Sequence, residues 1–281
     1  KTVSPAFHHH HKKAKRELDV ILNGEPLSFC SEPKYLGVTL DRTLTYRRHL
    51  ESLRKKLVSR VALLRRLAGS GWGAGAATLR SATLALVHSA AEYCAPAWSR
   101  SAHTHLIDPI INDALRIVTG CLRPTPSDNL SILSGIQPAE LRRDGATLSL
   151  ARRAMKQDHL LHAVLTSPSG DNVRFLKSRR PFVPAAQQLL CSADNSSSAL
   201  WADTKWNTEC KKSTTRLRAF ISDISAHPPG MTLPRAAWVK LNRLRTGVGR
   251  FQSCMYKWGL APSAACKCGE EEQTADHVVL D

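Results

Sequence analysis

Across residues 45–67 the apolar side chains Tyr46, Leu50, Leu53, Leu57, Val61 and Leu64 recur at steps of three and four. That period places them on one face of a helix, because a strand would alternate with a period of two. A helix this long with a single apolar stripe must bury the stripe against other elements, which fixes an α-containing core beside it. Thr45 is the expected N-cap. The other faces carry Arg47, Arg48, Arg54, Lys55, Lys56, Arg60, Arg65 and Arg66 against Glu51 alone. Like charges one turn apart repel. Such a one-sided array points to a partner that neutralises it, with phosphate contact the leading reading and a solvated face the alternative.

The residues before this helix read as extended. Leu18, Val20 and Leu22 alternate, Asn23-Gly24 is a favoured two-residue turn, and Leu27 and Phe29 resume the alternation. A third extended segment, residues 34–40, follows with Tyr35, Leu36, Val38 and Leu40 apolar. Together they predict a small three-stranded antiparallel meander, closed by Asp41. Further upstream, His8 to His11 sit beside Lys12, Lys13, Lys15 and Arg16. Adjacent histidines in a basic segment make a poorly defined metal site, and a solvated loop is expected there.

After the helix, Gly69 to Gly75 forms a compact glycine turn. It lacks the Gly-Lys-Ser/Thr ending of a phosphate loop, and no buried strand precedes it. Helices are predicted over residues 76–93, stopped by Pro96, and over 103–119, ended by Gly120. Two shorter helices follow at 127–134 and 138–155, the second basic again through Arg142, Arg143, Arg152 and Arg153. Residues 167–195 are rich in Ser, Pro, Asn and Asp and read as a linker. A last helical pair, 199–224 and 234–246, carries Trp201, Trp206 and Trp238. Phe251, Tyr256 and Trp258 are expected to fill a small core, with base stacking as the alternative.

The chain of 281 residues has 40 Lys+Arg against 23 Asp+Glu, a formal net charge of +17. A balance this basic favours nucleic acid first and an anionic membrane surface second. The longest apolar run, residues 82–91, is too short and too polar to span a bilayer, so no membrane partner is expected. Eight cysteines are scattered, without a dense framework or a signal peptide, which predicts an intracellular protein with reduced thiols. The chain does not begin with Met and reads as a fragment.

Near the C-terminus stand Cys266-Lys-Cys268 and then His277. Zinc takes four soft or borderline ligands in a tetrahedron, and this set supplies three. Gly269 gives the tight turn that wraps a metal. The fourth ligand either lies beyond Asp281 or is Cys254 from upstream. Catalytic constellations are otherwise thin. Two-metal phosphoryl transfer needs carboxylates that hold divalent ions about 3.5 to 4 Å apart, and no Asp-Asp pair follows an aromatic residue here. No nucleophile elbow, zincin motif or Walker motif is present. The chain is not expected to be catalytic alone or to bind a small-molecule substrate.

Three runs, KTVSPAF, KRELDVILNGEPLSF and KYLGVTLDRTLTYRRHL, closely resemble the end of the reverse transcriptase domain of jockey-like non-LTR (LINE) retrotransposons. RVALLRRLAGSGWGAGAATLRSATLALVHSAAEYCAPAW and INDALRIVTGCLRPTP are similar to the region just after it. LNRLRTGVGRFQSCMYKWGLAPSAACKCGEEEQTADHVVLD resembles the family's Cys/His knuckle. The resemblance implies that Tyr35, Leu36 and Gly37 form the primer-grip hairpin and that residues 45–67 begin the thumb. It also implies that Cys266, Cys268 and His277 are knuckle ligands of a structural zinc, with a last Cys just past Asp281. The aromatic-x-Asp-Asp box, and with it the magnesium of the full-length parent, would lie upstream of Lys1. The histidine run at 8–11 departs from the family's more mixed sequence.

These readings predict a mainly α fold with an N-terminal antiparallel β-meander, the end of a polymerase palm, then a helical thumb and connection and a small Cys/His zinc-knuckle-like C-terminus. The expected division is residues 1–41 for the end of the palm, 42–166 for thumb and connection, 167–198 for a linker, and 199–281 for a helical segment with a truncated knuckle. Function follows as the template-primer-binding piece of an RNA-directed DNA polymerase, contacting RNA and DNA in the nucleus and cytoplasm during target-primed reverse transcription. The rivals are a host-recruited stand-alone nucleic-acid-binding protein and a structural helical interaction domain.

Overall fold

The computed structural model describes residues 2–8, 11–167, 182–193, 197–212, 216–221, 223–224 and 227–280. In chain order come α1 (His11–Ala14), the hairpin strands β1 (Ile21–Leu22) and β2 (Glu25–Pro26), and the hairpin strands β3 (Lys34–Tyr35) and β4 (Val38–Thr39). Helices follow: α2 (Arg47–Arg65), α3 (Ala76–Thr83), α4 (Ser89–Ala91), α5 (Ala95–Trp98), α6 (Asp108–Thr119), α7 (Ser127–Ser134), α8 (Ala139–Ala154) and α9 (His162–Thr166). The last are α10 (Phe182–Ser192), α11 (Ser198–Lys212), α12 (Leu217–Phe220), α13 (Arg235–Thr246), α14 (Gln252–Lys257) and α15 (Ala275–Leu280). The fold is therefore mainly α with short antiparallel β pairing near the N-terminus, as the sequence predicts.

The chain forms two compact units. One comprises Lys1–Val58, Ala90–Pro109 and Arg142–Trp201, the other Ser59–Ser89, Ile110–Leu141 and Ala202–Asp281.

In the first unit the expected meander is instead two separate hairpins. Asn23 (φ 53°) and Gly24 (φ 82°) turn the first, with Ile21 opposite Pro26. The second turns at Leu36 (φ 45°) and Gly37 (φ 85°), with Tyr35 opposite Val38. Residues 34–40 thus fold back on themselves. Paired positive φ values give the twist a two-residue hairpin needs, but a leucine rarely adopts one. Here Tyr93 supplies the support, its hydroxyl donating to the Leu36 carbonyl at 2.9 Å. Of the histidine run, His9 and His10 lie outside the described residues, and the helical turn α1 follows. Arg42 anchors this region, donating to the Lys15 carbonyl at 3.0 Å and pairing with Glu17 at 2.7 Å, its guanidinium 4.5 Å from the Phe29 ring centre.

Helix α2 starts later than the N-cap reading of Thr45 implies, because Tyr46 sits at φ 59°. The Asp41 carboxylate accepts the backbone N–H groups of Thr45 at 3.0 Å and Tyr46 at 2.9 Å, and the Thr45 hydroxyl as well. Its apolar stripe is buried as expected: Leu50, Leu53, Leu57, Val61 and Leu64. His49 is buried with it and accepts the Thr39 N–H at Nδ1, 3.4 Å away.

The helix expected over 76–93 carries a π-helical turn at Leu84–His88 and ends at Ala91, before Pro96, which lies in the first turn of α5. There proline's missing N–H costs nothing. In the first unit Ala151, Ala154, Leu165 and Ala186 pack together with Phe182 and Leu161. The buried Arg143 pairs with Asp108 at 2.7 Å, and Arg142 with Glu92 at 2.8 Å. Helix α10 stands inside the segment read as linker; residues 168–181 and 194–196 lie outside the described residues.

The second unit is built around the end of α6. Gly120 (φ 72°) terminates that helix, as predicted, and α13 lies across it. Trp238 is fully buried, in contact with Ala76 and Met231, and donates its indole N–H to the Val118 carbonyl at 3.0 Å. Trp206 and Phe251 are buried too, as is Trp201 of the first unit; Tyr256, expected in the core, is exposed.

Two outcomes follow. A Cβ on Gly120 would overlap Val239 and force an L-residue into a left-handed conformation. Gly120→Ala should cost about 2 to 5 kcal/mol in urea unfolding, and Val239→Ala should relieve the steric part while leaving about 1 to 2 kcal/mol. Burial, with help from Lys34, holds the His49 imidazole below its ordinary value. Protonation therefore favours the unfolded chain, and stability is lost as pH falls below about 6.5. The loss between about pH 7 and pH 5 should be smaller in His49→Gln.

Candidate functional site

The basic faces of α2 divide according to their partners. Arg47 pairs with Glu51 at 2.9 Å, Arg48 with Glu32 at 3.1 Å, and Arg65 with Asp113 at 3.4 Å. Arg60, only half-exposed, donates to the Leu86 carbonyl within the π turn. Arg54, Lys55, Lys56 and Arg66 are exposed. Among the described residues Arg54, Lys56 and Arg66 have no carboxylate in ion-pair range. The sequence counted only Glu51 against this array; Glu32 and Asp113 come from elsewhere in the chain. Ion pairs as exposed as those of Arg47 and Arg48 add little stability, so those cations can exchange partners at little cost.

The β3–β4 hairpin presents Tyr35 and Leu36 at its tip, 68% and 71% exposed. Tyr93, which props it, was invisible to sequence reasoning because nothing local links positions so far apart in the chain. Gly37 is required by its φ of 85° and by the Tyr93 ring, which a Cβ would meet at 3.2 Å.

At the other end of the chain Cys266, Cys268 and His277 come together, their ligand atoms all within 4.8 Å of one another. A tight turn produces this. The Gly269 N–H donates to the Cys266 carbonyl at 3.2 Å, the Cys266 N–H to the Glu270 carbonyl at 3.0 Å, and Gly269 takes a φ of 105°. His277 enters from the first turn of α15, where Thr274 caps its N–H at 3.2 Å. Its Nε2 is 3.0 Å from the Cys268 sulfur. The Cys268 backbone N–H, then the Cys268 thiol, hold the Cys266 thiol down to about 6. The Cys268 thiol sits above its ordinary value: a Glu270 N–H lowers it, but the hydrogen bond to Cys266, burial and the Cys266 charge outweigh that. One sulfur is thus poised as thiolate beside a second thiol and an imidazole.

Gln273 is a positioning residue the sequence did not reveal. Its side-chain N–H donates to the Cys266 sulfur at 3.5 Å, its Oε1 accepts the Gln252 N–H at 3.1 Å, and its carbonyl accepts the Ser253 hydroxyl at 2.9 Å. Arg216 is another: it pairs with Asp276, beside His277, and holds the Asp276 carboxyl below its ordinary range. Cys254 is not in the group, its sulfur lying 3.4 Å from the Gly247 carbonyl. The suggestion that it completes the ligand set is thereby corrected.

The donors fit a metal ion. Two sulfurs and an imidazole around zinc, at about 2.3 and 2.0 Å from the ion, stand roughly 3.5 Å apart. With its ligand atoms all within 4.8 Å of one another, the cluster would need only small side-chain shifts to match it.

No family model matches the chain, and no solved structure matches it. Among curated proteins, a Pol polyprotein of the R1 4 retrotransposable element of Nasonia vitripennis is 25% identical over 96% of the chain, which spans 65% of that relative. The R1 Pol polyprotein of Bradysia coprophila is 23% identical over 96% of the chain, which spans only 26% of it. A stretch of 42 residues is 52% identical to the RNA-directed DNA polymerase of the jockey mobile element of Drosophila funebris, covering 15% of the chain and 5% of that relative. Over most of its length, then, this chain is similar to the Pol polyproteins of R1 retrotransposable elements, and over one short stretch to a jockey polymerase.

Proposed function

We propose that the chain is the part of a non-LTR retrotransposon reverse transcriptase that follows the catalytic carboxylates and grips the template–primer duplex during target-primed reverse transcription. The observation that carries this reading is its relationship to R1 Pol polyproteins over nearly all its length. The exposed cations of α2 support it. In this reading residues 1–41 end the palm, and the propped tip at Tyr35, Leu36 and Gly37 touches the primer terminus. Residues 42–166 form thumb and connection. Arg54, Lys56 and Arg66 meet phosphates first, and Lys55, Arg47, Arg48 and Arg65 join by leaving their present partners; Arg60, held on a carbonyl, positions the helix. The chemistry and its magnesium belong to the longer parent protein, which works in the nucleus after synthesis in the cytoplasm.

Contacts of this kind are to backbone phosphate, so they are insensitive to sequence and release counterions. Affinity for an RNA/DNA hybrid should fall linearly on a log–log plot against salt, and a flat response would remove the binding function. Arg54→Glu with Lys56→Glu and Arg66→Glu should weaken binding at least tenfold and flatten that slope by roughly two to three, since each lost phosphate contact lowers it by about 0.9. The unfolding midpoint should stay unchanged; unfolding of this variant would favour a structural role for the helix.

The Cys266, Cys268 and His277 group holds a structural zinc in the same reading. Zinc ties the turn at 266–269 to α15 and supplies folding energy rather than reactivity. The purified protein should contain about one zinc per chain. Cys268→Ser should lose it, and so should His277→Ala. Cobalt substitution should give a thiolate charge-transfer band in the unaltered protein alone; equal metal content in all three would sink the assignment.

A further inference from the structure

We propose that Trp72 is a stacking platform for a nucleobase, set at the end of the α2 phosphate track. The inference deepens the nucleic-acid reading above and rests on it. Trp98, Trp201, Trp206 and Trp238 are buried, whereas Trp72 is 62% exposed. Solvent exposure of so large an apolar surface is unfavourable, and this one is not a loose side chain. The turn that carries it is closed at several points. The Gly69 N–H donates to the Trp72 carbonyl at 3.0 Å and the Ala74 N–H to the Leu67 carbonyl at 3.0 Å, and Ala68 and Gly73 form a bridge.

Gly69 leaves room for the indole, and Gly73 leaves room for the turn's own backbone. A Cβ on Gly69 would overlap the Trp72 ring, and Gly73 holds a φ of 98° with the Leu67 carbonyl against it. The Gly69 carbonyl accepts the buried Arg235 guanidinium at 2.9 Å. The indole is therefore backed by glycine backbone, and that backbone is pinned by a cation from α13. The rest of the ring faces water.

The surroundings select the occupant. Arg65 and Arg66, in the last turn of α2 and just after it, are exposed, and Arg66 has no carboxylate in ion-pair range among the described residues. An apolar protein partner would not be drawn to an aromatic on a turn that follows two exposed arginines in the chain. A nucleotide would be, since it brings a π face and a phosphate a few ångströms apart. A base inside a duplex has no free face, so the ligand is an unpaired base or the end of a helix, of RNA or DNA alike.

Fluorescence gives the direct test, because the buried tryptophans are shielded and half-buried Trp258 can be replaced. In Trp258→Phe protein, an unstructured oligouridine or oligothymidine of roughly ten nucleotides should quench emission, whereas an abasic strand of equal charge should not. Trp72→Leu should bind the base-containing strands about 5- to 150-fold more weakly. It should leave abasic-strand affinity and the salt slope unchanged, and Trp72→Phe should retain binding within about threefold. Absence of quenching in a protein that still binds the hybrid would overturn this inference and leave the phosphate grip standing. Equal weakening of abasic and base-containing strands by Trp72→Leu would overturn it too, as the mark of a disturbed turn. A chain with no salt-dependent binding would remove both readings.

Discussion

The end of helix α6 is the constraint on which the second unit depends. The last carbonyls of any helix lack intrahelical partners, and these ones are covered by protein. Donors from α13 meet them. Arg235 reaches Val118 at 2.8 Å, Ile117 at 2.6 Å and Gly69 at 2.9 Å, Asn242 reaches Thr119 at 2.9 Å, and Arg243 reaches Gly120 at 3.3 Å. A cation is favourable at the negative end of a helix dipole, and a guanidinium can serve several carbonyls at once. Burial lowers the pKa of Arg235 and Arg243, but a guanidinium starts so high that it stays charged. One side chain thereby fixes the glycine turn after α2, the end of α6 and the start of α13.

From α13 the same logic runs to the Cys/His group. Arg216 donates to the Leu244 carbonyl at 3.4 Å, near the end of α13, while its other arm pairs with Asp276 in α15. Cys254 contributes by holding the Gly247 carbonyl rather than by reaching the cluster. Gln273 ties α14 to the Cys266 sulfur. The Cys/His group is oriented by residues outside the three candidate ligands, an arrangement general to metal sites. None of them carries a sequence signature.

What was legible in the sequence was periodic or local. The stripe Leu50, Leu53, Leu57, Val61 and Leu64 follows from a period that only a helix satisfies, and all five are buried. Asn23-Gly24 and Gly120 announce their own backbone. The Cys266, Cys268 and His277 group is compact in sequence and in space. What escaped was set by distant partners. The turn at Leu36-Gly37 depends on Tyr93, and a leucine there gives no turn signal. The fate of the α2 charges depends on Glu32 and Asp113, which no inspection of the helix alone could supply. Trp238, which the sequence placed only on a helix, is fully buried, and its indole N–H closes a helix end.

The formal charge of +17 is consequently not one resource. Arg47, Arg48, Arg65, Arg142 and Arg143 face carboxylates, and each such pair cancels locally. Arg60, Arg235, Arg243 and Arg245 donate to neutral carbonyls instead; Arg245 reaches Pro229 at 2.8 Å. A carbonyl satisfies the hydrogen bonds of a guanidinium without cancelling its charge. Cations anchored this way hold the fold together and still add to the positive field, partly shielded from solvent screening. An arginine that looks structural in its contacts is therefore electrostatically available to a polyanion. Under the proposed phosphate grip, reversing exposed cations on α2 would remove contacts, whereas part of the attracting field would come from arginines that also hold carbonyls of the fold.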